Sequence, residues 1–444
     1  MFTKQLAHGA QITTMTAVLL FPFHVWSDQE LEQEQDPNQR IPMEDVQRFS
    51  NAIGQIKKYY VKPVNDKELF DNAIRGMLSG LDPHSGYLDE TEFNELQTVT
   101  NGEFGGLGIE VTMENGVVRV ITPLVDTPAF KAGIKAGDYI IKLNNKSVQG
   151  IDLKEAVNLM RGKPGSTVDL TILRKDVNKP LKFTLAREKI LIQSVHSKLL
   201  DNKYGYVRLT QFQALTGIDM EKAITKLKQE AHGNLQGLVL DLRNNPGGLL
   251  DSAIQVSDAF LGKDKNNKPE LIVYTEGRLP GSKFTALSKS ADILHKAPMV
   301  VLINNGSASA AEIVAGALKD NKRAVILGTR SFGKGSVQTV LPLDAKSGIK
   351  LTTALYYTPS GTSIQAKGIT PDIVVEEMAV PNTKKDDSLN FSEADLSGHL
   401  LNKTDDKQSL KTKASSTDEA KLLHADYQLY AALTILKGLA VAQR

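Results

Sequence analysis

The sequence predicts an α/β protein of several domains, with an α/β core, a β-rich module before it and helical segments at both ends. Strand-like apolar runs alternate with helical patterns over residues 189–380, which is typical of a mostly parallel sheet covered by helices. Over residues 96–188, short runs of period two are separated by Gly and Pro, which indicates a compact β-rich module. The 444 residues also exceed one core at ~100–200 residues per domain.

The N-terminal 26 residues are typical of an export signal. Lys4 precedes the apolar run ITTMTAVLLFPFHVW, which is too short for a comfortable membrane span and is interrupted by Pro22. The polar residues 27–40 then read as a linker. We therefore expect an exported protein of the cell envelope, located in the periplasm. An apolar tail on a cytosolic protein stays open as an alternative, because no clear small-residue cleavage site follows.

Helices are expected at both ends of the remaining chain. In residues 41–95 the segments VQRFSNAIGQIKKYYV and ELFDNAIRGMLSGL space apolar residues by three and four, and Gly80 follows as a stop signal. Residues 381–415 are rich in Asp, Lys, Ser and Thr without a sustained period, which indicates a linker. The last segment, residues 416–444, has an apolar stripe that predicts a helix docked on the core or on a second subunit.

Composition excludes several classes of function. Lysine and arginine number 53 against 51 acidic residues, a balance without the basic footprint of a nucleic-acid binder. The chain has no cysteine, which excludes disulfides, thiolate metal sites and cysteine nucleophiles. We expect no metal, no cofactor and no nucleic-acid partner.

Ser309 is the first candidate catalytic residue. In VLINNGSASAAEI, residues 301–313, an apolar strand ends in a turn and Ser309 begins a helical pattern. A serine at such a joint is exposed, and the backbone N–H groups at the helix start can stabilise an anion. The same residues fit a capping box of Ser309 with Glu312, so a purely structural serine stays open. Ser307 is the weaker nucleophile because it lies closer to the turn.

Lys334, between two glycines in RSFGKGSVQTVLPL, is the candidate general base. A lysine acts as a base only when neutral, so burial must lower its pKa from the usual ~10.4. The histidines, His84 among them, have no evident active-site context. Gln338 could orient the amine if residues 334–338 form a helical turn, because positions i and i+4 lie far apart in a strand. An ordinary surface lysine is the alternative.

The glycines of LVLDLRNNPGGLL, residues 238–250, form the third candidate element. Gly247 and Gly248 would allow a backbone N–H to approach a reacting carbonyl, as an oxyanion hole requires. A plain strand-turn-helix connection explains the same letters equally well.

The chain resembles the carboxy-terminal processing peptidases, or tail-specific proteases, which are serine endopeptidases with a Ser/Lys dyad. GEFGGLGIEV, DLRNNPGGLL, NNGSASAAEIVAGAL and RSFGKGSVQ occur in the family's order within residues 41–378. The resemblance implies a crotonase-like protease core with Ser309 as nucleophile, Lys334 as base and Gln338 positioning the lysine. It also implies an oxyanion hole from the N–H groups of Gly248 and Ala310. Ala311 departs from the serine that the family commonly has there, and no catalytic role falls on it.

The resemblance further makes residues 96–188 an inserted PDZ domain. Its carboxylate-binding loop would be FGGLGI, that is Phe104, Gly105, Gly106, Leu107, Gly108 and Ile109. Successive glycine N–H groups can form a nest for a C-terminal carboxylate, while the next strand pairs with the peptide. A Gly-rich hairpin loop without a ligand is the alternative.

These observations together predict a serine endopeptidase that recognises the C-terminal tails of unstructured or partly unfolded proteins. Its partners would be protein or peptide substrates with free apolar C-termini. The resemblance implies a homodimer formed through the N- and C-terminal helices, and it leaves an adaptor protein and an N-terminal membrane tether open. A catalytically inactive PDZ scaffold and a crotonase-like acyl-CoA enzyme are the alternative functions.

Overall fold

The structure is a computed structural model that describes residues 41–175, 177–379 and 421–442 of the 444-residue chain. The predicted export signal and both predicted linkers lie outside the described residues. The chain divides between Phe70 and Asp71 into two compact units, which are described separately. No helix in the described ranges is long and apolar enough to cross a membrane.

The described residues of the first unit, 41–70, are mainly helical, as predicted. Helix α1 spans Met43–Tyr59, with Glu44 and Asp45 in its first turn and two lysines in its last, a distribution that complements the helix dipole. Helix α2 spans Asp66–Ser79 and begins in this unit. Within the unit, the aromatic rings of Phe49 and Phe70 lie 6.5 Å apart. The C-terminal end of α2 falls one residue before Gly80, the expected stop signal.

The second unit contains the other helices and all the strands described here. The helices are α3 (Glu90–Asn101), α4 (Pro128–Lys131), α5 (Leu153–Met160), α6 (Thr216–Glu230), α7 (Leu250–Asp258), α8 (Ala310–Asp320) and α9 (Tyr427–Ala442). The strands are β1 (Gly86–Leu88), β2 (Glu103–Gly106), β3 (Ile109–Glu114), β4 (Val117–Pro123), β5 (Tyr139–Leu143), β6 (Lys146–Ser147), β7 (Thr167–Leu173), β8 (Leu181–Ala186), β9 (Glu188–Leu191), β10 (Val195–Leu200), β11 (Tyr204–Leu209), β12 (Gly237–Asp241), β13 (Leu271–Gly277), β14 (Phe284–Leu287), β15 (Met299–Ile303), β16 (Val325–Gly328), β17 (Ser336–Pro342), β18 (Gly348–Tyr357) and β19 (Ile373–Val374).

The predicted β-rich module is an antiparallel sheet in the order β3-β4-β5-β7-β8, with β6 paired to β5. Alternate residues of its strands, such as Val118 and Val120, are buried in a core of their own. Strands β2 and β9 pair with each other where the chain enters and leaves the module. Helix α3 continues past residue 96, so the helical segment extends beyond the predicted start of the module.

The core is built on a six-stranded sheet in the order β10-β11-β12-β15-β16-β19. Only β10 of these strands runs antiparallel to its neighbour, which confirms the predicted mostly parallel α/β layer. Strands β12 and β15 are buried at every position, so both faces of the sheet must be covered. One face packs on apolar residues of α6, α7 and α8, and the other packs on α9.

The predicted C-terminal helix docks on the core, but it is not continuous. Residues 421–425 are helical, Asp426 interrupts them, and α9 follows. The Asp426 carboxylate accepts the N–H of Leu429 at 3.0 Å, and it accepts both terminal nitrogens of Arg243 at 2.9 and 2.7 Å. The interruption therefore places a carboxylate on an arginine that follows β12 in the core sheet.

A separate antiparallel sheet, in the order β1-β18-β13-β14 with β17 also paired to β18, lies beside the core. The central strand β18 pairs with β1 on one edge and with β17 along its length. This pairing brings the turn before β1, residues 82–85, next to the strand that follows Lys334. Two segments about 250 residues apart in sequence thus meet at one place.

Candidate active site

The candidate site lies at the carboxyl ends of three neighbouring parallel strands. The loops after β12, β15 and β16 carry Gly247 and Gly248, Ser309, and Lys334, respectively. Since β12, β15 and β16 are adjacent and parallel, their carboxyl ends meet at one edge of the sheet, where α/β proteins commonly bind ligands. The three motifs singled out in the sequence therefore converge.

Ser309 sits on a strained turn between β15 and α8. Its backbone has φ 55° and ψ −115°, a left-handed conformation that a residue with a Cβ rarely adopts. The residue caps α8, and its N–H donates to Glu312 Oε2 at 2.8 Å. Nucleophilic serines of other enzymes are also found on strained strand-to-helix turns of this kind.

Ser307 has a structural position. Its side chain is fully buried, and its hydroxyl donates to the carbonyl of Leu242 at 2.8 Å and accepts the N–H of Asn304 at 3.0 Å. These bonds join the loops after β12 and β15. The weaker expectation placed on Ser307 as a nucleophile agrees with this burial.

The glycine loop after β12 lies directly against Ser309. Gly247 has φ 100°, and a Cβ built on it would lie 2.8 Å from the Ser309 Cβ and 3.0 Å from the Ala310 nitrogen. A Cβ on Gly248 would lie 2.1 Å from the carbonyl oxygen of Phe212. The N–H groups of Gly248 and Ala310 have no acceptor among the described residues. Only a residue without a Cβ allows the glycine loop to come this close to Ser309. The loop thereby leaves two N–H groups without an acceptor beside the serine.

Glu312 joins the serine loop to the lysine loop. Its buried carboxylate accepts the N–H groups of Ser309, Gly333 and Lys334 at 2.7 to 2.8 Å and the hydroxyl of Ser331 at 2.5 Å. Burial raises the pKa of Glu312 against the opposing effect of these donors. The sequence analysis considered Glu312 only as a capping partner and missed its contacts to the loop 331–334.

Tyr356 of β18 makes a second link between the two candidate catalytic residues. The phenol is fully buried and donates its O–H to the backbone carbonyl of Lys334, while the Ser309 hydroxyl hydrogen-bonds to the phenol oxygen. Burial, together with the nearby Glu312 carboxylate, raises the pKa of Tyr356 well above its ordinary value. Tyr356 therefore stays neutral and holds Ser309 near the Lys334 backbone.

The Lys334 side chain is partly buried, and its pKa is lowered. Burial is the main cause, and the positive charge of Lys350 adds to it, while the carboxylates of Asp82 and Glu312 oppose it. The Lys334 amine donates no hydrogen bond to the Ser309 hydroxyl in this structure. The structure therefore brings the two residues to one site and gives the amine the lowered pKa that a base needs, without a direct serine-lysine bond.

The prediction of a helical turn at residues 334–338 is wrong. Strand β17 begins at Ser336 and pairs with β18, with an irregularity between Val337 and Gln338. The Gln338 amide donates to Ser336 Oγ at 2.9 Å and to Thr352 Oγ1 at 3.3 Å. The β-branched residues of SVQTV favour a strand, which explains why no helical turn forms there.

The turn DPHSG, residues 82–86, belongs to the site, and the sequence analysis missed it. Asp82 accepts the hydroxyl of Ser85 at 2.6 Å, two backbone N–H groups of the turn, and Thr352 Oγ1 at 3.2 Å. These bonds, led by that of Ser85, lower the pKa of Asp82 to about 2. The pKa of His84 is lowered by burial and by the charge of Lys334. The turn thus lies within electrostatic range of the lysine.

The predicted carboxylate-binding loop is shorter than expected. Phe104, Gly105 and Gly106 lie in strand β2, paired with β9, because the entering chain must pair with the chain that leaves the module. Ile109 begins β3, so Leu107 and Gly108 remain as the loop. The N–H groups of Leu107 and Gly108 have no acceptor among the described residues. Gly108 has φ 70°, and its carbonyl accepts the hydroxyl of Thr127 at 3.2 Å.

In the described part of the chain, no group of three or more His, Asp and Glu side chains is arranged to hold a metal ion.

Comparison with known proteins finds three family models and several relatives that the chain matches. Residues 203–375 match the model of peptidase family S41, residues 105–185 match the PDZ domain, and residues 6–92 match the N-terminal domain of the activating protease CtpB. The chain is 46% identical over 402 residues to a carboxy-terminal-processing protease of Bartonella bacilliformis, covering 90% of each chain. It is 38% identical over 330 residues to the carboxy-terminal processing protease CtpA of Bacillus subtilis, covering 74% of this chain and 68% of CtpA. A solved photosystem II D1 C-terminal processing protease matches with 31% identity and a TM-score of 0.43, covering 74% of this chain and 86% of that one.

Proposed function

The chain belongs to peptidase family S41 as a serine-type carboxy-terminal processing protease with a PDZ domain, and on that premise we propose that Ser309 and Lys334 form its catalytic dyad. The single observation that carries the proposal is the convergence of the strained Ser309, the lowered pKa of Lys334 and two unengaged N–H groups at one sheet edge. A serine with a neutral lysine is a known variant of the nucleophile and base pair.

The mechanism begins with the neutral amine of Lys334 taking the proton of Ser309 as the serine oxygen attacks the scissile carbonyl. The Ser309 hydroxyl lies near Tyr356, so its contact with the Lys334 amine would form when substrate binds. Catalytic hydrogen bonds are often long or absent before substrate binds. The Lys334 ammonium then returns its proton to the leaving amine, and water hydrolyses the acyl-enzyme by the same base.

The N–H groups of Gly248 and Ala310 would receive the negative charge that develops on the carbonyl oxygen. Both donors lie next to Ser309 and lack acceptors among the described residues. Donors already in position require no reorganisation when the charge forms, and each is worth ~10² to 10³ in kcat. Gln338 would position the lysine indirectly, through Ser336 and Thr352.

The PDZ domain would bind the free C-terminus of an unstructured substrate. The unengaged N–H groups of Leu107 and Gly108 can hold a carboxylate, and β3 is an edge strand to which a peptide can add. A matched pair of substrates tests this role, one with a free C-terminus and one with the same sequence ending in an amide. We expect the amide to be cleaved less efficiently through a raised KM, and equal kinetics would remove the loop from recognition.

The decisive experiment for the dyad is cleavage of an unstructured protein with an apolar C-terminus by wild type and Ser309→Ala. We expect hydrolysis by wild type and a loss of at least ~10³-fold in the variant, since the nucleophile is gone. Ser307→Ala is the matched control, because that hydroxyl is buried and bonds only within the fold. Cleavage that persists in a folded Ser309→Ala protein would overturn the proposal.

Export to the cell envelope is proposed on Lys4 and the apolar run that follows. N-terminal sequencing of the protein from its native cell should show processing near residue 26 or material tethered to the membrane. Cytoplasmic protein that retains Met1 would contradict export. The homodimer and the adaptor protein stay predictions, which the mass of the purified protein in solution and its co-purifying partners would test.

A further inference from the structure

A large cavity lies at the edge of the parallel sheet opposite Ser309. Its floor includes Pro298 and Met299 at the start of β15 and Val325 at the start of β16. Ser309 follows the other end of β15, and the five residues of that strand span about 16 Å at ~3.3 Å per residue. The cavity has a volume of about 950 Å³, at the upper end of ordinary ligand sites. It is therefore a space separate from the candidate active site.

Five lysines around the cavity have no carboxylate partner. They come from three separate segments, the loop after α7, the loop after β14 and the turn after α8. Among the residues that the structure describes, none of the five has a carboxylate oxygen within 4.0 Å, and their side chains are exposed. These lysines are Lys263, Lys265, Lys289, Lys296 and Lys322.

Two further cations of the lining are already paired. Arg323 binds Asp292 at 3.0 Å and also donates to a backbone carbonyl, while Lys319 binds Asp372 at 2.9 Å. The two carboxylates are engaged in turn by backbone N–H groups, those of residues 294 and 296 for Asp292 and that of residue 326 for Asp372. Neither acid is free to neutralise the five lysines.

The remaining acids of the lining are engaged in the same way. Asp264 accepts the N–H groups of Asn266 and Lys268 at 2.8 Å, and Glu270 accepts that of Gly262 at 3.2 Å. The lining thus has seven cations and four acids, a net charge of +3, in a chain whose total net charge is only +2. The lining of this cavity is therefore more positive than the chain as a whole.

The backbone holds part of this lysine rim in place. Lys296 has φ 65° and Lys322 has φ 56°, which is uncommon for a side chain of this kind. The N–H of Lys296 is fixed by Asp292 at 2.9 Å. The rim is therefore shaped by specific contacts rather than by chance exposure of lysines.

We propose that this cavity binds a ligand with several phosphate groups. Lysine ammonium groups bind phosphate as point charges, without the fixed geometry of the arginine fork. The one arginine of the lining is committed to Asp292, so the unpaired charge is all lysine. Because the lysines come from three segments around about 950 Å³, a single phosphate cannot contact them all, and a polyphosphate or a cluster of lipid phosphates can.

The test is titration calorimetry of the full chain with sodium tripolyphosphate at low salt. The cleft variant is Lys289→Gln with Lys296→Gln, and the matched control is Lys142→Gln with Lys146→Gln, two exposed lysines of the β-rich module without carboxylate partners. We expect the cleft variant to raise the Kd by about tenfold or more, since each lysine near an anionic surface contributes roughly a fivefold effect and the variant removes two. The control should leave the Kd unchanged, and circular dichroism should show all proteins folded.

Further measurements distinguish a soluble phosphate ligand from a lipid surface and test where on the protein the ligand binds. Phosphatidylcholine vesicles serve as the blank for vesicles of phosphatidylglycerol. If the phosphatidylglycerol vesicles bind wild type but not the cleft variant, the ligand is a lipid surface. Tripolyphosphate binding without vesicle binding would assign a soluble ligand. Each of four results would overturn the proposal. They are stronger binding of a polyglutamate peptide than of tripolyphosphate, equal Kd values for the two lysine-pair variants, no binding of tripolyphosphate by wild type, and loss of binding in Ser309→Ala.

Discussion

Replacement of Glu312 by glutamine tests whether one carboxylate holds the serine and lysine loops together. Glutamine has nearly the same shape but offers one acceptor oxygen, whereas the carboxylate accepts three N–H groups and a hydroxyl on its two oxygens. In one orientation the new NH₂ group faces the N–H groups of Ser309 and Lys334. In the other it faces the N–H of Gly333 and the hydroxyl of Ser331, which can turn to accept. One buried N–H group therefore loses its acceptor in the second orientation and two lose it in the first.

The expected cost follows from the burial of this site. Glu312 and Ser331 are almost fully buried, so water does not replace the lost acceptor. Each buried donor left unsatisfied costs ~1–3 kcal/mol, which lowers the free energy of unfolding by about 1–3 kcal/mol for one N–H group and by about 2–6 kcal/mol for two. Since domains are stable by ~5–15 kcal/mol, the variant should fold but with a markedly lower urea midpoint. Activity should also fall, because the Ser309 N–H and the loop before Lys334 are released.

The assay is urea unfolding followed by circular dichroism, together with cleavage of an unstructured protein. Ser331→Ala is the comparison variant, because it leaves the carboxylate's three N–H bonds intact but removes the acceptor of the Ile369 N–H. It should lower the unfolding free energy by about 1–3 kcal/mol and retain more activity than Glu312→Gln, because the Ser309 and Lys334 N–H groups keep their acceptor. A Glu312→Gln protein with an unfolding free energy within ~0.5 kcal/mol of wild type and normal cleavage would refute the reasoning.

Four other predictions follow from the charged groups of the structure. Lys334→Arg should reduce kcat by ~10² to 10⁴, because a guanidinium cannot act as a base, whereas near wild-type cleavage by the folded variant would reject the dyad. The wild-type rate should rise with pH through the lowered pKa of Lys334, since only the neutral amine works. Lys350→Gln removes a charge that lowers this pKa, so the rising limb should move to higher pH, and a shift to lower pH would contradict the assignment. Asp426→Asn weakens the contact to Arg243 and should lower the unfolding free energy by about 1–3 kcal/mol, with Glu221→Gln, on an exposed helix face, as the neutral control.

The elements that could be predicted from the sequence are those with a local pattern. The parallel layer was predictable because strands such as β12 and β15 are continuous apolar runs between helical patterns. Ser309, Lys334 and the two glycines follow such strands directly, so adjacency of the strands was enough to bring them to one edge. The roles of these residues stay predictions until variants are measured.

The rest of the site depends on contacts without a local signal. Asp82 meets Thr352 across 270 positions of the chain, and Tyr356 reaches Lys334 from a strand whose pairing could not be inferred from spacing. For Glu312 the capping pattern was visible, but the same carboxylate has acceptor capacity for more donors than a cap provides. The backbone conformation at Gln338 was predicted wrongly. The helical turn that a lysine-positioning role requires was given more weight than the strand propensity of the neighbouring residues.

The position of α9 also constrains when the core sheet can be completed during synthesis of the chain. This helix covers the face of β12, β15 and β16 that α6, α7 and α8 leave bare, and Asp426 just before it binds Arg243 beside the glycine loop. A nascent chain emerges at ~5–20 residues per second, N-terminal part first. Until residues 421–442 leave the ribosome, the sheet that holds Ser309 has one uncovered apolar face. The layer beneath the proposed active site is thus complete only once residues 421–442 have docked on the sheet.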